Sequence, residues 1–231
     1  MQQSTKATVT EWLKAYSPDI VLDCPAGDGW LLGALPNSKI DGIDLYTDPN
    51  SGYRTHVAAD LDHGIPEHLP EYDLIACCEG IEHFGNPALF FHSCHKHLKN
   101  DGVLLITTPN TWQPSAKLQF NLRGFYPGFP CLVGKIEKGT HMHIMPWSFP
   151  QLYLFLTLSG FKDITLHHQP MSKPKHQLER LLALPQKHYC RIKEKKSQTQ
   201  LEKDFWRQSG SEESILGRNL FVTATKKSSY N

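Results

Sequence analysis

Five short branched-aliphatic runs, each closed by Gly, Pro, Asp or Asn, limit what this chain can fold into: DIVLDC (19–24), KIDGIDL (39–45), THVAAD (55–60), YDLIACC (72–78) and GVLLITT (102–108). Runs this short and this continuously apolar read as strands buried on both faces. Helical patterns separate them, over 4–16, 29–35 and 86–100. In the last of these, Asn86 is placed to cap, Pro87 sits at the first helical position, and Leu89, Phe90, Phe91, Cys94 and Leu98 form the apolar stripe. SFPQLYLFLTLSGF (148–161) reads as a further helix ended by Gly160, followed by strands at 162–168 and 218–226. The alternation predicts a single α/β domain over 1–231: a doubly wound, Rossmann-like, mostly parallel seven-stranded sheet with helices on both faces. Such sheets bind ligands at the carboxyl ends of their strands. Two segments fall outside the alternation. Residues 111–147 are aromatic-rich and Gly/Pro-punctuated, as lids are, and 172–207 are Lys-rich and helical in pattern, an insertion before the closing strand.

Composition excludes more than it selects. With 24 basic against 23 acidic residues there is no global field for nucleic acid or an anionic membrane, so any such contact has to be local. The N-terminus lacks an apolar core of signal-peptide length, and no window reaches the roughly 18 apolar residues of a membrane span, which points to a cytoplasmic protein. Cys24, Cys77, Cys78, Cys94, Cys131 and Cys190 show no paired CxxC spacing and are expected to be reduced. Nothing fixes the oligomeric state.

The candidate chemistry sits at strand ends. Asp23 closes the first strand, and Ala26-Gly27-Asp28-Gly29 opens the next helix, a loop that lets backbone N–H groups approach a ligand. A dinucleotide fingerprint would need a third glycine where Leu32 stands, which counts against a nicotinamide or flavin oxidoreductase. Asp44 ends the second run, placed to accept from ribose hydroxyls, and Asp60 ends the third, placed to accept from an adenine amine. After the fourth strand, CCEGIEHFGNP (77–87) crowds Glu79, Glu82 and His83 into five positions.

The order VLDCPAGDG, GIDLY, AADLD, YDLIACCEGIEHFGNP, LKNDGVLLITTPN resembles the class I S-adenosylmethionine-dependent methyltransferases. That resemblance spans roughly 18–168 plus the closing strand. It implies that Asp23, Ala26, Gly27 and Gly29 line the methionine part of S-adenosylmethionine, Asp44 and Leu45 the ribose, and Asp60 and Leu61 the adenine, with Glu79 nearby. Pro25 departs from the usual glycine of the loop. Within the class, Glu79-x-x-Glu82-His83, Thr108-Pro109-Asn110 and His143 before Trp147-Ser148 resemble ubiquinone-pathway O-methyltransferases, small-RNA 2′-O-methyltransferases and relatives that modify polysaccharides or small molecules.

If 79–83 begin a helical turn, Glu79, Glu82 and His83 share one face through i, i+3 and i+4 spacing. The group then holds a divalent cation, with His143 or His141 as fourth ligand. Without a metal, His83 acts as general base held by Glu82; the bland reading is that these side chains satisfy loop backbone. Trp147, Phe125 and Tyr126 are candidates for an aromatic acceptor wall, whereas Trp30 is expected to pack. His63, His92, His95, His97, His167 and His168 read as surface or hydrogen-bonded core. The function expected is methyl transfer to an oxygen of a small molecule or glycan precursor, with nucleic acid disfavoured by the charge balance. The alternatives are an inactive S-adenosylmethionine- or S-adenosylhomocysteine-binding regulator and an RNA ribose 2′-O-methyltransferase.

Overall fold

The computed structural model describes residues 2–45, 52–129, 142–170 and 177–227. A seven-stranded sheet runs in the order β3-β2-β1-β4-β5-β7-β6. Its strands are β1 (Ile20–Asp23), β2 (Lys39–Asp44), β3 (Thr55–Ala58), β4 (Tyr72–Cys78), β5 (Leu98–Pro109), β6 (Lys162–Leu166) and β7 (Asn219–Thr225). All pairs are parallel except those of β7, which runs antiparallel to both β5 and β6. The mostly parallel doubly wound sheet expected from the alternating runs is what the chain forms.

β4 shows why these runs became strands. Leu74 and Ala76 point to one face, where α1 (Gln3–Tyr16) and α2 (Trp30–Ala34) supply Val9, Leu13 and Leu31. Ile75 and Cys77 point to the other, where α3 (Pro87–His97) and α5 (Phe149–Leu158) supply Phe90, Phe91, Leu152 and Leu156. Side chains alternate with period two, so a strand sandwiched between helix layers must be apolar at every position. Each fully buried Phe or Leu contributes roughly 1.5–3 kcal/mol.

The helix signals hold with two adjustments. Asn86 accepts from the Leu89 N–H at 3.3 Å with Pro87 following it, as the sequence indicates. The helix ends at His97, however, and Leu98 begins β5 rather than closing an apolar stripe; Leu89 is 39% exposed, because α3 already fills its core face with Phe90, Phe91 and Cys94. Gly160 follows α5 at φ +92°, a backbone region that glycine enters at least cost.

Of the two segments outside the alternation, 111–147 carries one helix among its described residues and 177–207 is mostly helical. α4 (Pro114–Arg123) leaves the carboxyl end of β5, and the insertion folds as α6 (Gln177–Leu182), α7 (Leu184–Lys196) and α8 (Gln200–Ser209), with α9 (Glu212–Ile215) leading into β7. His141, Cys131 and the parts of these segments over 130–141 and 172–176 lie outside the described residues. Trp147 is not an acceptor wall: it is fully buried against Phe91 and Phe155, and its Nε1–H donates to the Ile81 carbonyl. Trp30 packs, partly buried, on the α1 and α2 side of the sheet, with the Lys6 ammonium 5.0 Å from its ring centre. Among the described residues no helix is long and apolar enough to cross a membrane.

Candidate active site

A cavity of about 600 Å³ opens at the carboxyl ends of β1, β2 and β4, within the roughly 300–1,000 Å³ usual for small-molecule sites. Its wall takes Gly27 from the loop after β1, Asp44 and Leu45 from the end of β2, and Asp60 and Leu61 beyond β3. Glu79 and His83 close it from the turn after β4. Seven of the residues singled out from the sequence therefore meet on one surface.

Each is held by identifiable contacts. Gly27 sits at φ +52°, and its N–H donates to Asp44 Oδ2 at 2.9 Å, which ties the loop after β1 to the tip of β2. Asp60 caps the short 3₁₀ turn Leu61–His63 by accepting from the Asp62 N–H. Asp62 in turn accepts from the N–H groups of Gly85 and Asn86 at 2.8 and 3.3 Å, so the turn after β3 fixes the segment after β4.

Three loop residues stand off the main cavity wall. Asp23 is 1% exposed and accepts the Tyr53 hydroxyl at 2.7 Å. Burial pushes its carboxyl well above the ordinary range, against the lowering effect of that hydrogen bond. Gly29 caps α2 at φ +72°, and Ala26 lines a neighbouring depression together with Trp30 and Lys6. Pro25 is accommodated by Gly80, where a Cβ would lie 2.2 Å from the Pro25 Cδ. The departure at position 25 thus preserves the loop by demanding a glycine on the facing turn.

The acidic cluster differs from the single helical face that its spacing suggested. Glu79 takes φ +54° and stands outside the turn; only Ile81–His83 form a 3₁₀ helix. Glu79 turns instead towards β7, where Asn219 Nδ2 donates to its Oε1 at 3.2 Å, and burial raises its pKa. Among the described residues, the group close enough to hold one ion is Glu82, His83 and His143, with donor atoms within 4.8 Å of one another and Glu79 not among them. The positive φ of Glu79 turns the chain between it and the 3₁₀ helix, so i, i+3 and i+4 do not stack.

Glu82 is 2% exposed, with Oε2 accepting from the Thr108 hydroxyl at 2.9 Å. Its Oε1 and the Nδ1 of His143 are buried and make no hydrogen bond among the described residues. Burial, aided by the charge of Glu79, pushes the Glu82 carboxyl up to about 8. His83 Nδ1 lies 2.7 Å from the Met142 carbonyl, which can only accept, so the proton is on Nδ1 and Nε2 is the basic nitrogen. The rings of His83 and His143 meet edge to face at 4.9 Å, and burial followed by the charge of His83 lowers the pKa of His143. Tyr126 stacks on Phe120 at 4.6 Å and meets Phe129 edge to face, and Phe129 in turn meets His143. The sequence reading missed Tyr53 and Asn219 altogether; Thr108 it had marked only within its Thr-Pro-Asn motif.

Solved structures share the fold. The YcgJ protein of Bacillus subtilis superposes with a TM-score of 0.59 at 12% identity, covering 98% of this chain and 100% of that one. A SAM-dependent methyltransferase from Archaeoglobus fulgidus gives 0.51 at 16% identity, covering 96% and 94%. Together with the family match over residues 3–166, this fold places the chain among the class I S-adenosylmethionine-dependent methyltransferases. A profile described as a methyltransferase domain matches residues 3–166, and the chain belongs to that family. The ubiquinone biosynthesis O-methyltransferase of Photobacterium profundum is 28% identical over 167 residues, 66% of this chain and 68% of that protein. Its namesake from Actinobacillus pleuropneumoniae serotype 5b is 30% identical over 137 residues, 52% of this chain and 56% of that one.

Proposed function

We propose that the protein transfers the methyl group of S-adenosylmethionine to an oxygen of a small-molecule acceptor, and that the turn after β4 carries the proton chemistry. The observation that carries this is the shared wall: His83 lines the same cavity as Gly27, Asp44 and Asp60. S-adenosylmethionine supplies a methyl group already activated on a sulfonium. The chain's own work is to align donor and acceptor and to take a proton from an acceptor hydroxyl. In this reading Asp44 accepts from the ribose hydroxyls, Asp60 and Leu61 face the adenine, and Glu79 lies towards the methionine end.

His83 takes the acceptor proton at Nε2, oriented by its Nδ1–H to Met142. Glu82 and His143 flank it, the first buried behind Thr108 and the second against the His83 ring. Relatives named O-methyltransferases support oxygen as the target. The balanced charge supports a small acceptor or glycan precursor over RNA.

The same three side chains fit a divalent cation in their chemistry. One carboxylate and two imidazoles converge, and Glu82 Oε1 is a buried acceptor with no hydrogen bond among the described residues. A cation bound there would supply Lewis-acid polarisation of the acceptor oxygen.

Calorimetric titration with S-adenosylmethionine and S-adenosylhomocysteine tests the cofactor. Binding of both is expected, and binding of neither, with NAD bound instead, would overturn the reading. His83→Ala should keep that binding while transfer to hydroxyl acceptors is lost. Elemental analysis after soaking in divalent metal, compared with Glu82→Gln, decides the cation: stoichiometric metal in neither preparation removes it.

A further inference from the structure

The helices α6 and α7 are built inside out. A surface helix ordinarily buries its leucines and turns its charges to water. Here Leu178, Leu181 and Leu184 are 59%, 61% and 54% exposed, while the inward stripe is Glu179, Ala183 and Cys190 at 6%, 0% and 1%. Polar contacts seat that inward stripe. Arg218 Nη2 donates to both oxygens of Glu179 at 2.9 and 2.8 Å and its Nη1 donates to Ser115 of α4, and Gln186 Nε2 donates to the Trp112 carbonyl. The leucines are therefore held outward by specific bonds on the opposite face.

The outward face is basic as well as apolar. Leu181, Leu184 and Pro185 line a shallow groove together with Lys187, His188 and Arg191, of which Lys187 is paired with Glu212 at 2.8 Å. α4, which touches α6, adds exposed Leu118 and Leu122 on one face, at i and i+4, with Lys117 and Arg123 beside them. From Gln177 to Arg207 the chain carries eight lysines and arginines against four acids, and 111–129 carries two bases and no acid. In a chain of net charge +1 these two segments are net positive and the remainder acidic, with Lys187 paired to Glu212 and Arg207 to Asp204. The α6–α7 segment lies outside the methyltransferase-domain match at 3–166 and belongs to a connection, 167–218, that joins two antiparallel neighbours. A hairpin needs roughly two to five residues for that task.

We propose that the face formed by α6 and α7, flanked by α4, docks on an anionic lipid bilayer, its leucines entering the headgroup boundary while Arg191 and its basic neighbours meet lipid phosphates. Apolar side chains rimmed by long basic ones suit that boundary, where stems lie along the apolar layer and charged heads reach the phosphates. Because α4 leaves the carboxyl end of β5, the docked face borders the rim of the sheet that holds the cavity. The proposal stands independently of the acceptor assignment.

The test is co-sedimentation of the full chain with vesicles of phosphatidylglycerol and phosphatidylcholine in equal parts, and with phosphatidylcholine alone. Retention is expected on the mixed vesicles only, weakened by added salt. Leu181→Ser/Leu184→Ser should cut that retention by about tenfold or more, and Arg191→Glu should weaken it too, with S-adenosylmethionine binding unchanged in both. No retention on mixed vesicles, equal retention on neutral ones, or retention indifferent to the variants would overturn the proposal. So would a concentration-dependent dimer, or capture of a single-stranded RNA oligonucleotide, abolished by the same variants in protein that ignores vesicles.

Discussion

Thr108 donates its hydroxyl to one oxygen of Glu82 while the other oxygen, equally buried, makes no hydrogen bond among the described residues. A carboxyl in that setting keeps its proton, because ionisation would leave a charge with one neutral donor and little water.

Stability should therefore fall as pH rises through the neutral range. Glu82 holds its proton up to about 8 when folded, whereas its ordinary value is 4.5. Between those values the folded state binds the extra proton, so raising the pH favours unfolding, and the loss is complete above pH 8. His143 and His167, lowered by burial, act oppositely but only below their ordinary 6.5. Thermal melts of the wild type should lose midpoint temperature from about pH 6.5 to 8, and Glu82→Gln should flatten that slope. An unchanged slope in the variant would assign the effect elsewhere.

Asp44→Ala removes the acceptor of the Gly27 N–H along with the carboxylate assigned to the ribose. Losing bonds of this charge-assisted kind costs roughly 1.5–3 kcal/mol each, so the dissociation constant for S-adenosylmethionine should rise by on the order of tenfold to a hundredfold. Calorimetry reads this directly; an unchanged constant refutes the ribose role.

Tyr53→Phe should destabilise the fold by about 1–3 kcal/mol in denaturant, since it strips the donor from a buried carboxyl. Asp23→Leu added to it should restore part of the loss, because replacing both partners leaves no buried acceptor without its donor. If the double variant is as unstable as the sum of the singles, the two side chains are not coupled.

Gly80→Ala forces a methyl group against the Pro25 ring, and nothing there is a flexible side-chain end. A cost of roughly 1–3 kcal/mol is expected, together with weaker S-adenosylmethionine binding, since the displaced loop carries Gly27. Pro25→Gly in the same chain should recover the binding.

The strands were legible because their local pattern and their burial agree: β4 is apolar from Leu74 to Cys78 and has helices on both sides. Asp44, Asp60 and His83 were legible because a strand end is a place in sequence as well as in space. Asp23 was legible as a strand end in the same way, but its bond to Tyr53, thirty residues on, was not. Nor was the direction of α6, whose Leu-rich face would pass for a core face until Arg218 takes Glu179 inward. The metal spacing misled at Glu79 for a local reason, a single positive φ that periodicity cannot show.

The place of β7 between β5 and β6 has a consequence for synthesis. Strand β6 leaves the ribosome with no neighbour to pair with, and the edge of β5 stays open until residues 219–225 emerge. An unpaired apolar edge is a template for association with other chains. Translation that stops within the α6–α9 segment would thus release a sheet split in two, with the cofactor half complete and its flank exposed. Quality control should meet this protein before residues 219–225 are made.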